Sequence, residues 1–135
     1  GEKNVMEKRD ERVRILKRMF MLLDKNSLGS ITEVEALPML EHMHADHEQA
    51  RLAWAELLSK AERSEVEEKE FVDYYFEHHL QGKTRVECLV FLSAELKRYQ
   101  EAEVRFFQDK VHAEAEMQRE QETNEIDAVE PLRSH

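Results

Sequence analysis

What most limits this chain is how rarely it can turn. Three glycines and two prolines punctuate 135 residues, and from Lys83 onward neither type recurs before Pro131. These are the strongest local breakers of regular structure, so a chain this poor in them is expected to form few, long helices. Apolar residues recur at helical steps. Val13, Leu16, Phe20 and Leu23 make one stripe at three- and four-residue spacing, which predicts a first helix from about Val5 to Leu23. A second is expected from about Thr32, with Leu37, Leu40 and Met43 facing inward. Pro38 falls inside it, removes a backbone hydrogen bond and should kink it. Asp46 is placed to cap a third helix reaching Lys60, with Leu52, Trp54, Leu57 and Leu58 as its apolar residues. Phe71, Val72, Tyr74, Tyr75 and Phe76 belong to a fourth, closed by Gly82. Thr84 caps a fifth that runs to about Gln121.

Between the first two helices, Asp24 to Glu35 reads Asp-Lys-Asn-Ser-Leu-Gly-Ser-Ile-Thr-Glu-Val-Glu. Oxygen-bearing groups stand at positions 1, 3, 7, 9 and 12 of this stretch: Asp24, Asn26, the Ser30 carbonyl, Thr32 and Glu35. Gly29 takes the sharp turn at position 6 and Ile31 the apolar position 8. The pattern resembles the calcium loop of the EF-hand family, which wraps a hard cation in oxygens. Leu28, at position 5, brings no side-chain oxygen. With two carboxylates and one ligand missing, calcium is expected to bind weakly, with a Kd above ~10⁻⁴ M, or not at all. No other cofactor is expected.

A shift of thirty-five residues lays the chain on itself, Asp24 on Ser59, Ile31 on Val66 and Glu35 on Glu70. Leu23 then matches Leu58, and Ala36-Leu37 matches Phe71-Val72. In the second loop, Ser59 to Glu70, the ligand positions are lost to Ser59, Ala61 and Arg63, and Ser64 replaces the turn glycine. A guanidinium in the cage repels a divalent cation, so this loop reads as structural. Val13 to Leu80 thus resembles a calmodulin-like EF-hand pair. The resemblance implies an all-α fold of four helices over residues 5–82, with its two loops joined back to back by a short bridge at Ile31 and Val66. It also implies an apolar groove for an amphipathic helix. Met19, Phe20, Leu37, Met39, Met43, Phe71 and Tyr75 are assigned to that groove, although such methionines more often simply fill core.

Residues 83–122 carry a seam of Leu89, Leu92, Leu96, Tyr99 and Phe106. A stripe of this length does not stay bare in a soluble chain. Either the helix folds back as an internal occupant of the groove, or it pairs with a second copy as a homodimeric coiled coil. Residues 123–135 have the acidic, low-aromatic composition of a flexible tail.

The net charge of −10 argues against nucleic-acid binding. The first helix is nonetheless basic, with Lys8, Arg9, Arg12, Arg14, Lys17 and Arg18, which reads as a membrane-surface or partner face or simply as its solvated side. No apolar run approaches the ~18 to 20 residues that span a bilayer. The lone Cys88 fits a reducing compartment, and the expected location is cytoplasmic, in a cytoskeletal or flagellar setting. His42, His44 and His47 lie beside Glu41, Asp46 and Glu48, but no thiolate or second pair completes a zinc pattern. There is no glycine-rich phosphate loop or nucleophile elbow, so an enzyme is not expected. The function expected is a protein-interaction or scaffold module with little calcium dependence. The alternative is a low-affinity calcium sensor switching through the first loop.

Overall fold

The computed structural model describes the backbone of residues 10–133 and the side-chain surroundings of residues 10–122. Among these residues the protein is all-α, with five helices and one two-stranded bridge. In chain order they are α1 (Glu11–Leu23), β1 (Ser30–Ile31), α2 (Glu33–Met43), α3 (His47–Leu58), β2 (Val66–Glu67), α4 (Glu68–His78) and α5 (Arg85–Arg133). Val5 to Arg9, expected to start the first helix, lie outside the described residues.

Each helix starts where a side chain can take up its orphan backbone donors. The Asp10 carboxylate accepts from the Arg12 backbone N–H at 3.0 Å and from the Arg12 guanidinium at 2.8 Å, and these bonds hold its carboxyl below the usual range. Asp46 accepts from Gln49 N at 2.8 Å. Glu70 reaches back to Glu67 N at 2.9 Å, and Thr84 and Glu87 exchange bonds of 3.0 and 3.1 Å. Asp46 and Thr84 are the caps that the sequence predicts. Pro38 does not break α2, which continues to Met43. The bond it forfeits would have gone to the carbonyl of Val34, a solvent-exposed residue, where water can replace it.

Two helix–loop–helix hairpins, α1–β1–α2 and α3–β2–α4, meet through an antiparallel bridge that sets Ile31 opposite Val66 and Ser30 opposite Glu67. Ile31 and Val66 are both fully buried. Helix α1 lies against α4, and α2 against α3. Between them sit Leu16, Met19, Phe20, Leu23, Met39, Leu40, Trp54, Leu57 and Phe71. The rings of Phe20 and Phe71 are 5.7 Å apart, a tilted contact that adds to the burial of each.

The chain divides into two compact units after Glu103. The first part of α5 belongs with the four preceding helices. It buries Cys88, Leu92, Leu96, Tyr99 and Ala102, steps of three and four that define one helix face. Tyr99 meets Phe71 ring to ring at 6.4 Å, and its hydroxyl lies 2.9 Å from that of Tyr75. Arg98 donates to the Met43 carbonyl at 2.8 Å, and Lys25 pairs with Glu103 at 3.4 Å. The compact unit therefore extends past residue 82, where the resemblance ends the four-helix lobe, because the fifth helix supplies part of its core. In the second unit Phe106 is half-buried, with its ring 5.6 Å from that of Phe107.

Helix α4 stops at His78, ahead of Gly82, and Leu80 in the intervening turn is buried. Gly82 has φ of 77°, a conformation that costs an L side chain energy. Helix α5 passes Gln121 and continues to Arg133, where a flexible tail is expected. With no breaker before Pro131 and many Glu, Gln, Ala and Arg residues, local propensity favours continuation.

Leu92 tests whether α5 is part of the core. Leu92→Ala should lower unfolding free energy by about 2 to 4 kcal/mol in urea denaturation. A loss below about 0.5 kcal/mol, as for an exposed leucine, would contradict the packing.

Candidate functional site

The loop between α1 and α2 is held by its own acidic groups. Asp24 is only 8% exposed, and its two carboxylate oxygens accept from Leu28 N at 3.1 Å and Gly29 N at 2.9 Å. Ser27 and Gly29 have φ of 53° and 84°, so the backbone doubles back on either side of Leu28 and aims these amides at Asp24. Leu28 itself is 73% exposed. Glu35 accepts from Thr32 N and Thr32 Oγ1, each at 3.4 Å, and from Asn26 Nδ2 at 3.1 Å. Ser30 is turned to the other loop, donating from Oγ to Glu65 at 3.0 Å.

All five residues assigned to a cation loop are thus close in the fold, but the carboxylates of Asp24 and Glu35 are engaged with the loop itself and the Ser30 hydroxyl with the other loop. Among the described residues no group of three or more His, Cys, Asp or Glu side chains is arranged to hold a metal ion. A hard cation of calcium's size wants six to eight oxygens, several of them charged. Two carboxylates, one of them capping α2, do not fit a tight site. In the second loop Lys60 and Arg63 stand among Glu62, Glu65, Glu67 and Glu70, two cations that offset part of the charge of four carboxylates.

The other sequence candidates are dispersed. His47 Nδ1 lies 2.6 Å from Glu41, whereas His44 faces a different surface, between α2 and α5. On the basic helix, Arg12 is paired with Asp10 and lies over the Phe76 ring at 5.1 Å. Arg14 pairs with Glu11, and Lys17 with Glu68 at 3.8 Å. Lys8 and Arg9 lie outside the described residues. Among the described residues, no helix is long and apolar enough to cross a membrane.

Of the residues assigned to a groove, Met19, Phe20, Met39, Phe71 and Tyr75 are buried, and Leu37 and Met43 are half-buried. Leu92, Leu96 and Tyr99 of the seam are buried, whereas Leu89 is half-buried and Cys88 takes the interior position beside it.

What sequence spacing does not reveal is a cavity of about 250 Å³ where four helices converge. Leu40, Met43 and His44 come from the end of α2, Ala53, Glu56 and Leu57 from α3, Tyr74, Tyr75 and His79 from α4 and its cap, and Phe91, Glu95, Arg98 and Tyr99 from α5. Tyr74 donates to Glu56 at 2.7 Å and Tyr75 to Glu95 at 3.2 Å. Arg98 divides its guanidinium between Glu95, at 2.6 Å, and the Met43 carbonyl. Burial raises the phenol pKa values of Tyr74, Tyr75 and Tyr99 above their usual range. Burial foremost, with Arg98 adding to it, holds His44 below the ordinary imidazole range, and burial does the same to His79.

No known family model, curated protein or solved structure matches this chain.

Two outcomes follow from this geometry. Asp24→Ala should cost about 2 kcal/mol in urea denaturation with chelator present, because the loop amides lose their acceptor, while Leu28→Ala should stay within about 0.5 kcal/mol of the parent. Equal effects would mean that Asp24 does not hold the loop. For the histidines, folded pKa values below 6.5 mean that the unfolded chain takes up protons first as pH falls. Stability therefore drops on acidification through the histidine range, and replacing His44 and His79 together by Gln should flatten that part of a Tm-against-pH curve. An unaltered slope would exclude them as its source.

Proposed function

We propose that this chain is a non-catalytic protein-interaction or scaffold module, of cytoskeletal association, built on a degenerate EF-hand pair with little or no dependence on calcium. The observation that carries the reading is the use of the loop carboxylates. Asp24 serves Leu28 and Gly29, and Glu35 serves Thr32 and Asn26, so the hinge is closed by hydrogen bonds within the chain. Back-to-back pairing of the loops at Ile31 and Val66 supports descent from a two-loop calcium unit. The face that such a lobe offers to a target helix is covered by Cys88, Leu92, Leu96 and Tyr99 of α5, which supports an internal ligand in place of an ion-gated one. In the second unit Val104, Phe107 and Val111 follow at three- and four-residue steps with exposures of 55%, 47% and 62%, a stripe suited to an amphipathic partner helix.

One observation favours the low-affinity sensor as a second reading. Asn26 and Glu35, positions 3 and 12 of the loop, are neighbours in the fold, with Asn26 Nδ2 donating to Glu35 at 3.1 Å, which supports a loop that brings these two residues together.

Amide NMR spectra with and without calcium, on the parent and on Glu35→Gln, separate the two. The interaction-module reading expects no saturable shift below ~1 mM calcium. Saturable shifts centred on residues 24–35 that disappear in the variant would give the loop to calcium and overturn it.

A further inference from the structure

We propose that the protein pairs with a second copy of itself through exposed faces of α5, antiparallel, the first unit of each copy meeting the second unit of the other. The inference rests on the reading of this chain as an interaction module and names its partner helix. Helix α5 contributes to both compact units, and in each it carries apolar residues on an exposed side. In the first unit Leu92, Leu96 and Tyr99 are used up in the core, while Val86 and Val90 are 70% and 67% exposed. In the second, Val104, Phe107 and Val111 are exposed as well. Counted in sevens, these five fall in one frame: Val86 and Phe107 share the d position, and Val90, Val104 and Val111 the a position. Among the described residues, the other large exposed apolar residue of α5 is Met117, at a flanking position.

What selects a second copy, and its direction, is the order of residues along the frame. Between the two apolar ends the a and d positions hold Ser93, Lys97 and Gln100, all exposed, and Glu114 follows Val111. A parallel pair in register would set Lys97 against Lys97 and Glu114 against Glu114, like charges inside the seam. In an antiparallel pair each a position meets a d position of the other copy. One register then fits throughout, with Val86 opposite Val111, Val90 opposite Phe107, Ser93 opposite Val104 and Lys97 opposite the Gln100 amide. Glu114 comes opposite Lys83, an exposed residue one place ahead of the cap Thr84. Like-charge contacts are exchanged for an opposite pair, and the apolar end of one copy covers the apolar end of the other. The two-fold axis repeats each contact, as an isologous dimer requires. From Val86 to Val111 the contact runs along about 40 Å of helix. Five apolar side chains from each copy over that length come near the ~1,000 Å² that a specific interface needs, a size that fits a reversible dimer.

The test is sedimentation equilibrium of the full chain from micromolar to millimolar concentration. Twice the chain mass is expected at the upper end, and monomer mass throughout would overturn the proposal. Val90→Lys and Phe107→Glu, both at exposed positions, should each raise the dimer Kd about tenfold, because each sets a charge against an apolar side chain. Mixed in equal amounts, the two variants should pair with each other about as well as the parent pairs with itself. The antiparallel register sets the new lysine against the new glutamate in one contact and keeps Val90 against Phe107 in the other. Undiminished pairing by either variant alone would overturn the face, and no recovery on mixing would overturn the register. Should either variant fail to fold, a mixture of Ser93→Cys and Val104→Cys chains treated with oxidised glutathione decides the register instead. A disulfide joining the two variants is expected there, and its absence overturns the antiparallel pairing. A monomeric chain would leave the calcium titration of residues 24–35 unaffected, so the dimer and the module reading stand or fall by separate signals.

Discussion

The contact between the Tyr75 and Tyr99 hydroxyls, 2.9 Å apart in a buried setting, fixes the position of the fifth helix. A phenol buried without a hydrogen-bond partner costs a few kcal/mol, so both tyrosines must find polar atoms inside a largely apolar interface. They find each other, and Tyr75 also finds Glu95. A slip of α5 by one residue would rotate its side chains by about 100°, carrying Tyr99 away from this arrangement. Leu92 and Cys88 would leave the core with it. The pair therefore supplies register, while the surrounding Phe71, Leu92 and Leu96 supply most of the burial.

The first loop is closed by hydrogen bonds within the chain. The acidic first position still gathers amide donors, and the terminal glutamate still reaches back across the start of α2. Both have a carboxylate as acceptor, those of Asp24 at 2.9 and 3.1 Å being the shorter and those of Glu35 to Thr32 the longer, at 3.4 Å. With its ends held in this way, the turn tolerates an exposed apolar residue, Leu28, at its tip. Ser30 and Glu65 then tie the two loops by side chains as well as by backbone.

Much of the framework was legible in local sequence. The thirty-five-residue offset between the loops sets Ile31 against Val66, and these are the residues that pair. Asp46 and Thr84 declared their helix starts because capping is a short-range effect of residue type. Features that depend on tertiary contact were harder to read. Cys88 and Leu89 are adjacent and similarly apolar, and only the axial setting of α5 decides which one turns inward. The cavity was invisible because Glu56, Tyr74, His79 and Arg98 come from three separate elements and make no pattern along the chain. The continuation of α5 past Asn124 was missed for the opposite reason: acidic composition suggested a tail, while the absence of breakers favoured helix.

The placement of Tyr99 also orders events in time. During synthesis from the N-terminus, both hairpins leave the ribosome before the residues that cover them. Phe71 and Tyr75 must wait for residues 88 to 102 before their surroundings are complete. The core is thus completed by a segment made later, and a chain interrupted before Tyr99 would lack the partner that meets the Phe71 ring and the Tyr75 hydroxyl.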